Sequence, residues 1–350
     1  MKYGNDLSKF RIVRLNSDMF PVSEFEKQSY DRFGLNPVLS SAAGDRILDV
    51  ASDCDAILIV SEALTDHVID GLGKCRVISR IGAGTDKINR LAATRNGIVI
   101  TNVPDFCVEE QADHTMALLL AVARKLPQMQ CAMRTGKWNE ARTICRPLRR
   151  LNTQTLGLIG FGLSAKAVAR RAAGFGMRVL ATRRNRSLHD PEVDLLNVKL
   201  TDFNTVLRES DFISLHVPLN GETRGMIGPK ELAMMKPGSA LINTSRGALV
   251  DEKALAAAIR SEHLAGAGLD TFRDIDVHAS EDDRPPEHPL LELRTVALTP
   301  HVAAFSVESA RDVSVGAVKN VVSILSGHWP PKDRIVNPEV DPRNKLVNSQ

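Results

Sequence analysis

A glycine-rich turn near the middle of the chain constrains the fold more than any other feature. Thr155–Gly160 is predicted as an apolar β-strand and Leu163–Phe175 as a helix, and the turn between them has the pattern Gly160-x-Gly162-x-x-Ala165. The first glycine allows a tight turn, the second lets the backbone approach a diphosphate, and the small third residue lets helix and strand pack closely. The helix N-terminus offers unpaired N–H groups to the phosphates. The turn therefore predicts a dinucleotide-binding α/β unit.

Alternation of strand-like and helix-like segments extends over most of the 350 residues. Further predicted strands are Ala56–Val60, Arg76–Ile81, Gly97–Val103, Met177–Thr182, Asp211–Pro218, Ser239–Ser245, Leu264–Phe272 and Thr295–His301. Further predicted helices are Thr65–Leu72, Val108–Leu126, Lys230–Met235, Glu252–Ser261 and Val307–Ser326. Such alternation indicates βαβ units and parallel sheets, and the length favours two domains.

Three segments suggest how these elements are arranged. The centre of the long helix, Met116–Ala123, is apolar nearly all round, which predicts burial in a core or at a subunit contact. The basic, irregular stretch Arg134–Arg150 is interpreted as the crossing between domains. The polar segment beyond Asn337 is expected to be loosely ordered.

Composition argues against several classes of protein. The 45 Lys and Arg residues nearly balance the 42 Asp and Glu residues, so no basic stripe for nucleic acid is expected. No apolar run reaches the roughly 18 residues of a membrane span, and Met1–Phe10 lacks the apolar core of a signal peptide. The five cysteines have neither metal-ligand nor redox spacing, which predicts reduced structural thiols and no metal site. We therefore expect a cytoplasmic globular protein.

The end of the strand after the glycine-rich turn predicts which dinucleotide binds. An NAD site places an acidic residue there to bind the ribose 2′-hydroxyl. This chain has Thr182-Arg183-Arg184-Asn185-Arg186 instead. Because guanidinium groups suit a 2′-phosphate, NADP is favoured, with NAD as the alternative cofactor and a solvated arginine-rich loop as the alternative interpretation.

Over nearly its whole length the chain resembles the D-isomer-specific 2-hydroxyacid dehydrogenase family. The segments that carry the resemblance, besides the glycine-rich turn, are Arg80-Ile81-Gly82-Ala83-Gly84-Thr85-Asp86, Thr101-Asn102-Val103-Pro104, Leu215-His216-Val217-Pro218-Leu219, Met235-Lys236-Pro237-Gly238, Leu241-Ile242-Asn243-Thr244-Ser245-Arg246-Gly247, Ala267-Gly268-Leu269-Asp270 and Leu298-Thr299-Pro300-His301. Residues 103–110 are most similar to the subgroup named after C-terminal-binding proteins.

The resemblance implies an architecture of two doubly wound parallel-sheet domains. A Rossmann cofactor domain, residues 105–304, would be inserted into a flavodoxin-like substrate domain formed by residues 1–104 and 305–335, with a polar tail at 336–350. The family also implies a homodimer, built largely through the apolar helix near Met116–Ala123.

The resemblance also implies a catalytic set of Arg, His and Glu. Arg246 would hold the substrate carboxylate through two hydrogen bonds and polarise the neighbouring carbonyl group. His301 would be the general acid in reduction and the general base in oxidation. A carboxylate would orient His301; the family glutamate aligns most simply with Ile275, so Glu281 is the first candidate and Asp274 the second.

Cofactor and substrate contacts are carried over from the family in the same way. Gly160, Gly162, Leu163 and Ser164 would meet the pyrophosphate, and Arg183 and Arg184 the ribose phosphate. Val217 and Thr244 would line the cofactor path, Asp270 would hold the carboxamide, and the N–H groups of Ala83 and Gly84 would bind the substrate carboxylate. For the apolar residues, ordinary core packing is the alternative interpretation.

The favoured function is reduction of a small 2-oxo acid, of the glyoxylate or hydroxypyruvate type, to the D-2-hydroxy acid. A phosphoglycerate dehydrogenase is the second hypothesis, although Ser61-Glu62 stands where phosphate-handling members carry arginine. A cofactor-sensing, corepressor-like binding protein is the third, and the retained Arg246 and His301 argue for catalysis instead.

Overall fold

The chain folds into two compact units in the computed structural model, which describes residues 7–185, 187–273 and 287–348. One unit comprises Met1–Cys107 and Phe305–Gln350, and the other comprises Val108–Ala304. The interpretation of Arg134–Arg150 as the crossing between domains is wrong, because this stretch lies inside the second unit. Within this unit Trp138–Ile144 forms a helix. The Lys125 ammonium stabilises the end of that helix by donating a hydrogen bond to the Ile144 carbonyl at 3.0 Å.

Every predicted strand is present among the described residues, with shorter bounds, and three further strands occur. The strands are β1 Ile12–Leu15, β2 Val38–Ser40, β3 Ala56–Ile59, β4 Val77–Arg80, β5 Val99–Thr101, β6 Thr155–Ile159, β7 Arg178–Thr182, β8 Val198–Leu200, β9 Phe212–Leu215, β10 Ala240–Asn243, β11 Gly266–Leu269 and β12 Val296–Leu298. All pairings between them are parallel, which confirms the predicted α/β class.

Helices connect these strands. They are α1 Glu24–Phe33, α2 Ile47–Ala51, α3 Asp66–Asp70, α4 Arg90–Arg95, α5 Val108–Ala123, α6 Leu126–Arg134, α7 Trp138–Ile144, α8 Leu163–Gly174, α9 Pro191–Leu195, α10 Phe203–Glu209, α11 Pro229–Met234, α12 Glu252–Arg260 and α13 Val307–Leu325. Within the part of the chain that the structure describes, none of these helices combines the length and the apolar character needed to span a bilayer.

The first unit is a five-stranded sheet in the order β2-β1-β3-β4-β5. Helices α2, α3 and α4 cover one face, and α1 and α13 cover the other. Its central strand β3 has the sequence Ala-Ile-Leu-Ile and is buried throughout, because a parallel strand covered on both faces needs apolar residues at successive positions.

The C-terminal segment packs on this unit instead of being loosely ordered as expected. The Asn337 amide is fully buried, and its oxygen accepts a hydrogen bond from the Ile100 N–H at 2.8 Å. Farther along, Val340 is buried and the Arg343 N–H donates to the Gly97 carbonyl at 3.0 Å. The segment is held because β5 is an edge strand whose unpaired backbone groups it satisfies.

The second unit is a seven-stranded sheet in the order β12-β11-β10-β9-β6-β7-β8. Helices α5 and α8 cover one face, and α10, α11 and α12 cover the other. The apolar centre of α5 enters this core, where Leu118 and Leu119 are buried. The order along the sheet reverses between β6 and β9, and such a reversal opens a crevice at the carboxyl ends of the strands where ligands bind.

Candidate active site

The glycine-rich turn lies at this reversal point, directly after β6. Gly160 has a φ of +94°, and a Cβ atom there would lie 2.3 Å from the carbonyl oxygen of His216, which follows the neighbouring strand β9. Only glycine satisfies both the backbone angle and the close approach. Gly162 differs, because a Cβ atom there would have no atom within 4 Å and would project into open space.

The N-terminus of α8 faces that open space without a cap. Gly162 is the N-cap residue and makes no side-chain capping bond, so the first N–H groups of the helix have no partner from the cap. Leu163 is 55% exposed at the first turn, whereas Ala165 is fully buried, as its small size predicts. An uncapped helix N-terminus beside an open glycine suits the pyrophosphate of a dinucleotide.

A partly buried histidine is hydrogen-bonded to this turn. The His216 ring lies between two hydroxyl groups, with Nδ1 3.3 Å from Ser164 Oγ and Nε2 2.9 Å from Ser214 Oγ. Burial lowers the pKa of His216 to about 4, so the ring is neutral at physiological pH. A neutral ring has one donor and one acceptor nitrogen, which matches two hydroxyl partners and holds Ser164 in place.

The arginines after β7 have different surroundings. The Arg183 side chain is only 12% exposed, and its Nη1 lies 3.0 Å from Asp190 Oδ2. Lys166 Nζ lies 2.9 Å from the same carboxylate, and this hydrogen bond is the main reason why the pKa of Asp190 is lowered. Arg184 is 80% exposed and pairs with Glu222. Arg183 is thus held in one position by a carboxylate, and Arg184 is the more accessible cation.

Arg246 follows β10 on a turn that is tightly held. The Asn243 side chain accepts a hydrogen bond from the Ser245 N–H at 3.0 Å and donates one to the Arg246 carbonyl at 2.8 Å. The Ser245 hydroxyl donates to the Leu215 carbonyl at 2.7 Å. A Cβ atom at Gly247 would lie 2.0 Å from the Phe272 carbonyl carbon, so this turn packs against the backbone that follows β11.

His301 follows β12 on a loop that Asp270 organises. Asp270 is fully buried, and its carboxylate accepts hydrogen bonds from the Thr299 hydroxyl at 2.6 Å and the N–H groups of Val302 and Ala303 at 2.9 and 3.0 Å. The His301 N–H donates to the Asp270 carbonyl at 2.8 Å. His301 has a φ of +59°, a left-handed conformation that a non-glycine residue adopts only when its surroundings impose it.

Strand order brings these elements to one edge of the sheet. Arg246 follows β10, Asp270 follows β11, and His301 follows β12, and these three strands are neighbours with Asn243, Leu269 and Leu298 in register. The glycine-rich turn lies at the same edge because all seven strands are parallel. The sequence-predicted residues of this unit are therefore gathered around the carboxyl ends of β6 and β9–β12.

Helix α5 contributes contacts that the sequence did not predict. Gln111 Nε2 donates to the Thr244 carbonyl at 2.9 Å, and the Thr115 and Thr244 hydroxyl oxygens lie 2.9 Å apart. His114 Nε2 lies 2.8 Å from Thr299 Oγ1. Thr244, expected on the cofactor path, is therefore buried and braced by α5. Gln111, His114 and Thr115 belong to the polar N-terminal half of α5, so their polar character did not distinguish them in the sequence from exposed neighbours such as Glu109 and Asp113.

Two other predicted residues are placed as follows. Val217 is half-buried after β9 and would contact a Cβ atom at Gly160. In the first unit, Ala83 and Gly84 follow β4, and the Ala83 carbonyl accepts from Asn102 Nδ2 at 2.6 Å. Glu281 and Asp274 lie outside the described residues, so the identity of the acid that assists His301 stays a prediction.

The buried Glu252 carboxylate is hydrogen-bonded to residues on both sides of segment 274–286, which contains these two acids. Glu252 Oε1 accepts from the Arg273 N–H at 2.8 Å, and Glu252 Oε2 lies 2.8 Å from His288 Nε2. Both side chains of the Glu252–His288 pair are nearly fully buried. Residues 273 and 288 are therefore fixed to the start of α12.

Several known proteins are similar in sequence to this chain. The description "D-isomer specific 2-hydroxyacid dehydrogenase, NAD binding domain" belongs to a family profile that matches residues 116–303. A glyoxylate reductase of Thermococcus litoralis is 37% identical over 84% of this chain and 87% of its own length. A D-3-phosphoglycerate dehydrogenase of Archaeoglobus fulgidus is 33% identical over 92% of this chain but only 59% of its own length.

A solved structure agrees with these sequence matches. The D-lactate dehydrogenase of Aquifex aeolicus, determined with NAD and lactic acid, superposes with a TM-score of 0.82 at 25% identity, over 93% of this chain and 99% of that one. The uncapped α8, the open space at Gly162 and the arginine and histidine at the same sheet edge fit a nicotinamide dinucleotide. This chain belongs to the D-isomer-specific 2-hydroxyacid dehydrogenase family.

Proposed function

We propose that the protein reduces a small 2-oxo acid, of the glyoxylate or hydroxypyruvate type, to the D-2-hydroxy acid. The observation that carries this proposal is the placement of Arg246 and His301 after β10 and β12, on either side of β11 and at the same sheet edge as the glycine-rich turn. The similarity to glyoxylate reductases over most of the chain supports the substrate class.

Each side chain has a role that follows from its chemistry. Arg246 binds the substrate carboxylate, since a planar guanidinium can donate two parallel hydrogen bonds to it. Its turn is held by Asn243, so the substrate is bound in a fixed orientation. A bound reduced nicotinamide supplies the hydride to the carbonyl carbon. His301 donates a proton to the carbonyl oxygen, which completes the hydroxyl group of the product.

The remaining expected contacts keep their proposed roles. Leu163 and Ser164 present N–H groups to the pyrophosphate, Val217 and Thr244 line the cofactor path, and Asp270 accepts from the carboxamide. In the first unit, the backbone of Ala83 and Gly84 binds the substrate carboxylate. Glu281, with Asp274 as the alternative, assists His301. The domain limits of 105–304 and 1–104 with 305–335 are proposed on the same basis.

A phosphoglycerate dehydrogenase is the second candidate, because one relative carries that activity in its name. The loop after β3 weighs against it. Asn16 Oδ1 accepts from the N–H groups of Ser61 and Glu62 at 2.9 and 3.1 Å, so the loop is held with a carboxylate where a phosphate would need a cation.

The test is a turnover assay of the purified chain with glyoxylate, hydroxypyruvate, pyruvate and 3-phosphohydroxypyruvate. The unphosphorylated acids should be reduced, with a D-configured product wherever a stereocentre forms. Preference for the phosphorylated acid would favour the second candidate. Cofactor binding without turnover of any 2-oxo acid would refute the reductase and favour a cofactor-sensing binding protein.

We also propose that NADPH is preferred to NADH. Residues 183–185 include no acid that would repel a 2′-phosphate, and Arg184 is an exposed cation next to the predicted ribose site. Arg183 is nearly buried in its ion pair with Asp190, whereas the ion pair of Arg184 with Glu222 is exposed to solvent, so the preference should depend mainly on Arg184. Comparison of kcat/KM for the two cofactors with one good substrate decides the question, and equal values would refute the preference.

We propose further that the chain forms a homodimer in the cytoplasm. Three large apolar side chains, Leu126, Met133 and Trp138, are exposed on the consecutive helices α6 and α7, which follow the apolar helix α5 along the chain. Exposed apolar side chains of this size favour a subunit contact. All five cysteines are unpaired, as reduced thiols in a cytoplasm would be. Sedimentation should give a dimer that Trp138→Asp dissociates and the matched surface change Leu195→Asp does not. A monomeric native chain would refute the dimer.

A further inference from the structure

Helix α5 connects to the loop that carries His301 through a chain of three polar groups. His114 Nε2 lies 2.8 Å from Thr299 Oγ1, and the Thr299 hydroxyl donates to Asp270 Oδ1 at 2.6 Å. His114 Nε2 is also 3.5 Å from that Asp270 oxygen. All three residues belong to the second unit, and no family signature quoted above includes His114.

The direction of these hydrogen bonds follows from counting donors. Both oxygens of Asp270 already accept from backbone N–H groups, those of Val302 and Ala303, so the carboxylate acts as an acceptor. The hydroxyl of Thr299 has a single hydrogen, and it is directed at Asp270. Thr299 Oγ1 must therefore accept from His114, which assigns the hydrogen of the imidazole to Nε2.

The consequence concerns His301. Asp270 holds the loop from Thr299 to Ala303 through three hydrogen bonds, and His301 has its left-handed φ of +59° within that loop. A conformation of this kind persists only where several contacts impose it. His114 orients the Thr299 hydroxyl, and so it contributes to the contacts that fix the direction of His301.

We propose that His114 is a positioning residue for the reaction and acts on His301 through Thr299 and Asp270. This inference rests on the proposed reductase function. His114 itself touches neither substrate nor cofactor in this role, although Asp270 is the proposed carboxamide contact, so the loss of His114 should lower kcat much more than it changes either KM. The contact needs only an N–H donor at the Nε2 position, and the side-chain amide of glutamine provides one.

The experiment compares three variants of the full-length chain. His114→Leu, which has no donor, should lower kcat about tenfold, equivalent to about 1.4 kcal/mol, with both KM values within about twofold of native. His114→Gln should recover most of the activity. The matched control is His263→Leu, which removes a histidine hydrogen bond to the Leu232 carbonyl at the opposite end of the sheet and should leave kcat unchanged.

Hydrogen exchange of the 299–304 peptide gives a readout that does not depend on catalysis. His114→Leu should accelerate exchange of the Val302 and Ala303 amides, and His114→Gln should restore their protection. Native exchange in His114→Leu would overturn the proposal, as would a native kcat or a loss carried by KM alone. If the native chain reduced no 2-oxo acid, the proposed function would be wrong, and the exchange result would still decide the His114 contact.

Discussion

Two alanine substitutions in the glycine-rich turn should affect different properties: Gly160→Ala the stability of the protein, and Gly162→Ala its affinity for the cofactor. At Gly160 the added methyl group would lie 2.3 Å from the His216 carbonyl oxygen, and the backbone φ is +94°. The backbone conformation alone costs roughly 1–2 kcal/mol for an alanine. Overpacking against a rigid backbone adds roughly 1–3 kcal/mol. Gly160→Ala should therefore destabilise the cofactor-free protein by about 2–5 kcal/mol.

Gly162→Ala is the matched control, because its methyl group meets no atom within 4 Å and its φ of −96° suits any residue. Its free energy of unfolding should fall by about 1 kcal/mol at most, because alanine is a poorer N-cap than glycine but the added methyl group meets no neighbour. The methyl group would, however, occupy the space that the pyrophosphate needs to approach the protein backbone. The variant should therefore bind the cofactor at least about tenfold more weakly, a loss of about 1.4 kcal/mol.

Chemical denaturation without cofactor measures the first quantity, and fluorescence titration with reduced cofactor measures the second. The native protein and Gly174→Ala, whose added methyl group also meets no atom within 4 Å, serve as references. Equal destabilisation by the Gly160 and Gly162 changes would refute the distinction between them. Unchanged cofactor affinity in Gly162→Ala would refute the placement of the pyrophosphate.

Four further predictions concern individual residues of the site. His301→Ala should keep native cofactor affinity and lower kcat about 100-fold or more. Arg246→Lys should raise the KM of the 2-oxo acid and lower kcat, because lysine lacks the planar guanidinium group that donates two parallel hydrogen bonds. Native steady-state kinetics in either variant would contradict the role of the replaced residue. Arg184→Ala should reduce kcat/KM for NADPH more than for NADH, whereas Arg208→Ala, a distant exposed arginine, should change neither. The pKa of His216 is lowered to about 4, so the unfolded chain takes up the proton first as pH falls from about 6.5. The native protein should therefore lose up to about 3 kcal/mol of stability by pH 4, and His216→Gln should flatten this pH dependence in a series of denaturation experiments. Parallel plots of stability against pH for the two proteins would contradict the lowered pKa.

The local sequence was sufficient to predict the role of a residue wherever that role depends on neighbouring residues along the chain. The Gly160-x-Gly162 pattern predicted the turn and its ligand because the backbone angle at Gly160 and the open space at Gly162 belong to one strand–turn–helix unit. The close contact of Gly160 with the His216 carbonyl, from the neighbouring strand, was not visible in the sequence. Strand positions were predictable for a similar reason, since doubly covered strands such as β3 need an unbroken apolar run. Arg246 and His301 were identified by resemblance, from the segments that contain them.

Tertiary structure alone decided which groups meet across long separations. No pattern in the sequence indicated that Gln111 would reach Thr244, that Asn337 would pair with β5, or that His114 would reach Thr299. These contacts depend on strand order and helix packing, which bring residues as much as 237 positions apart to hydrogen-bond distance. A polar side chain in the sequence shows that a partner is required once it is buried, and only the folded chain determines which partner that is.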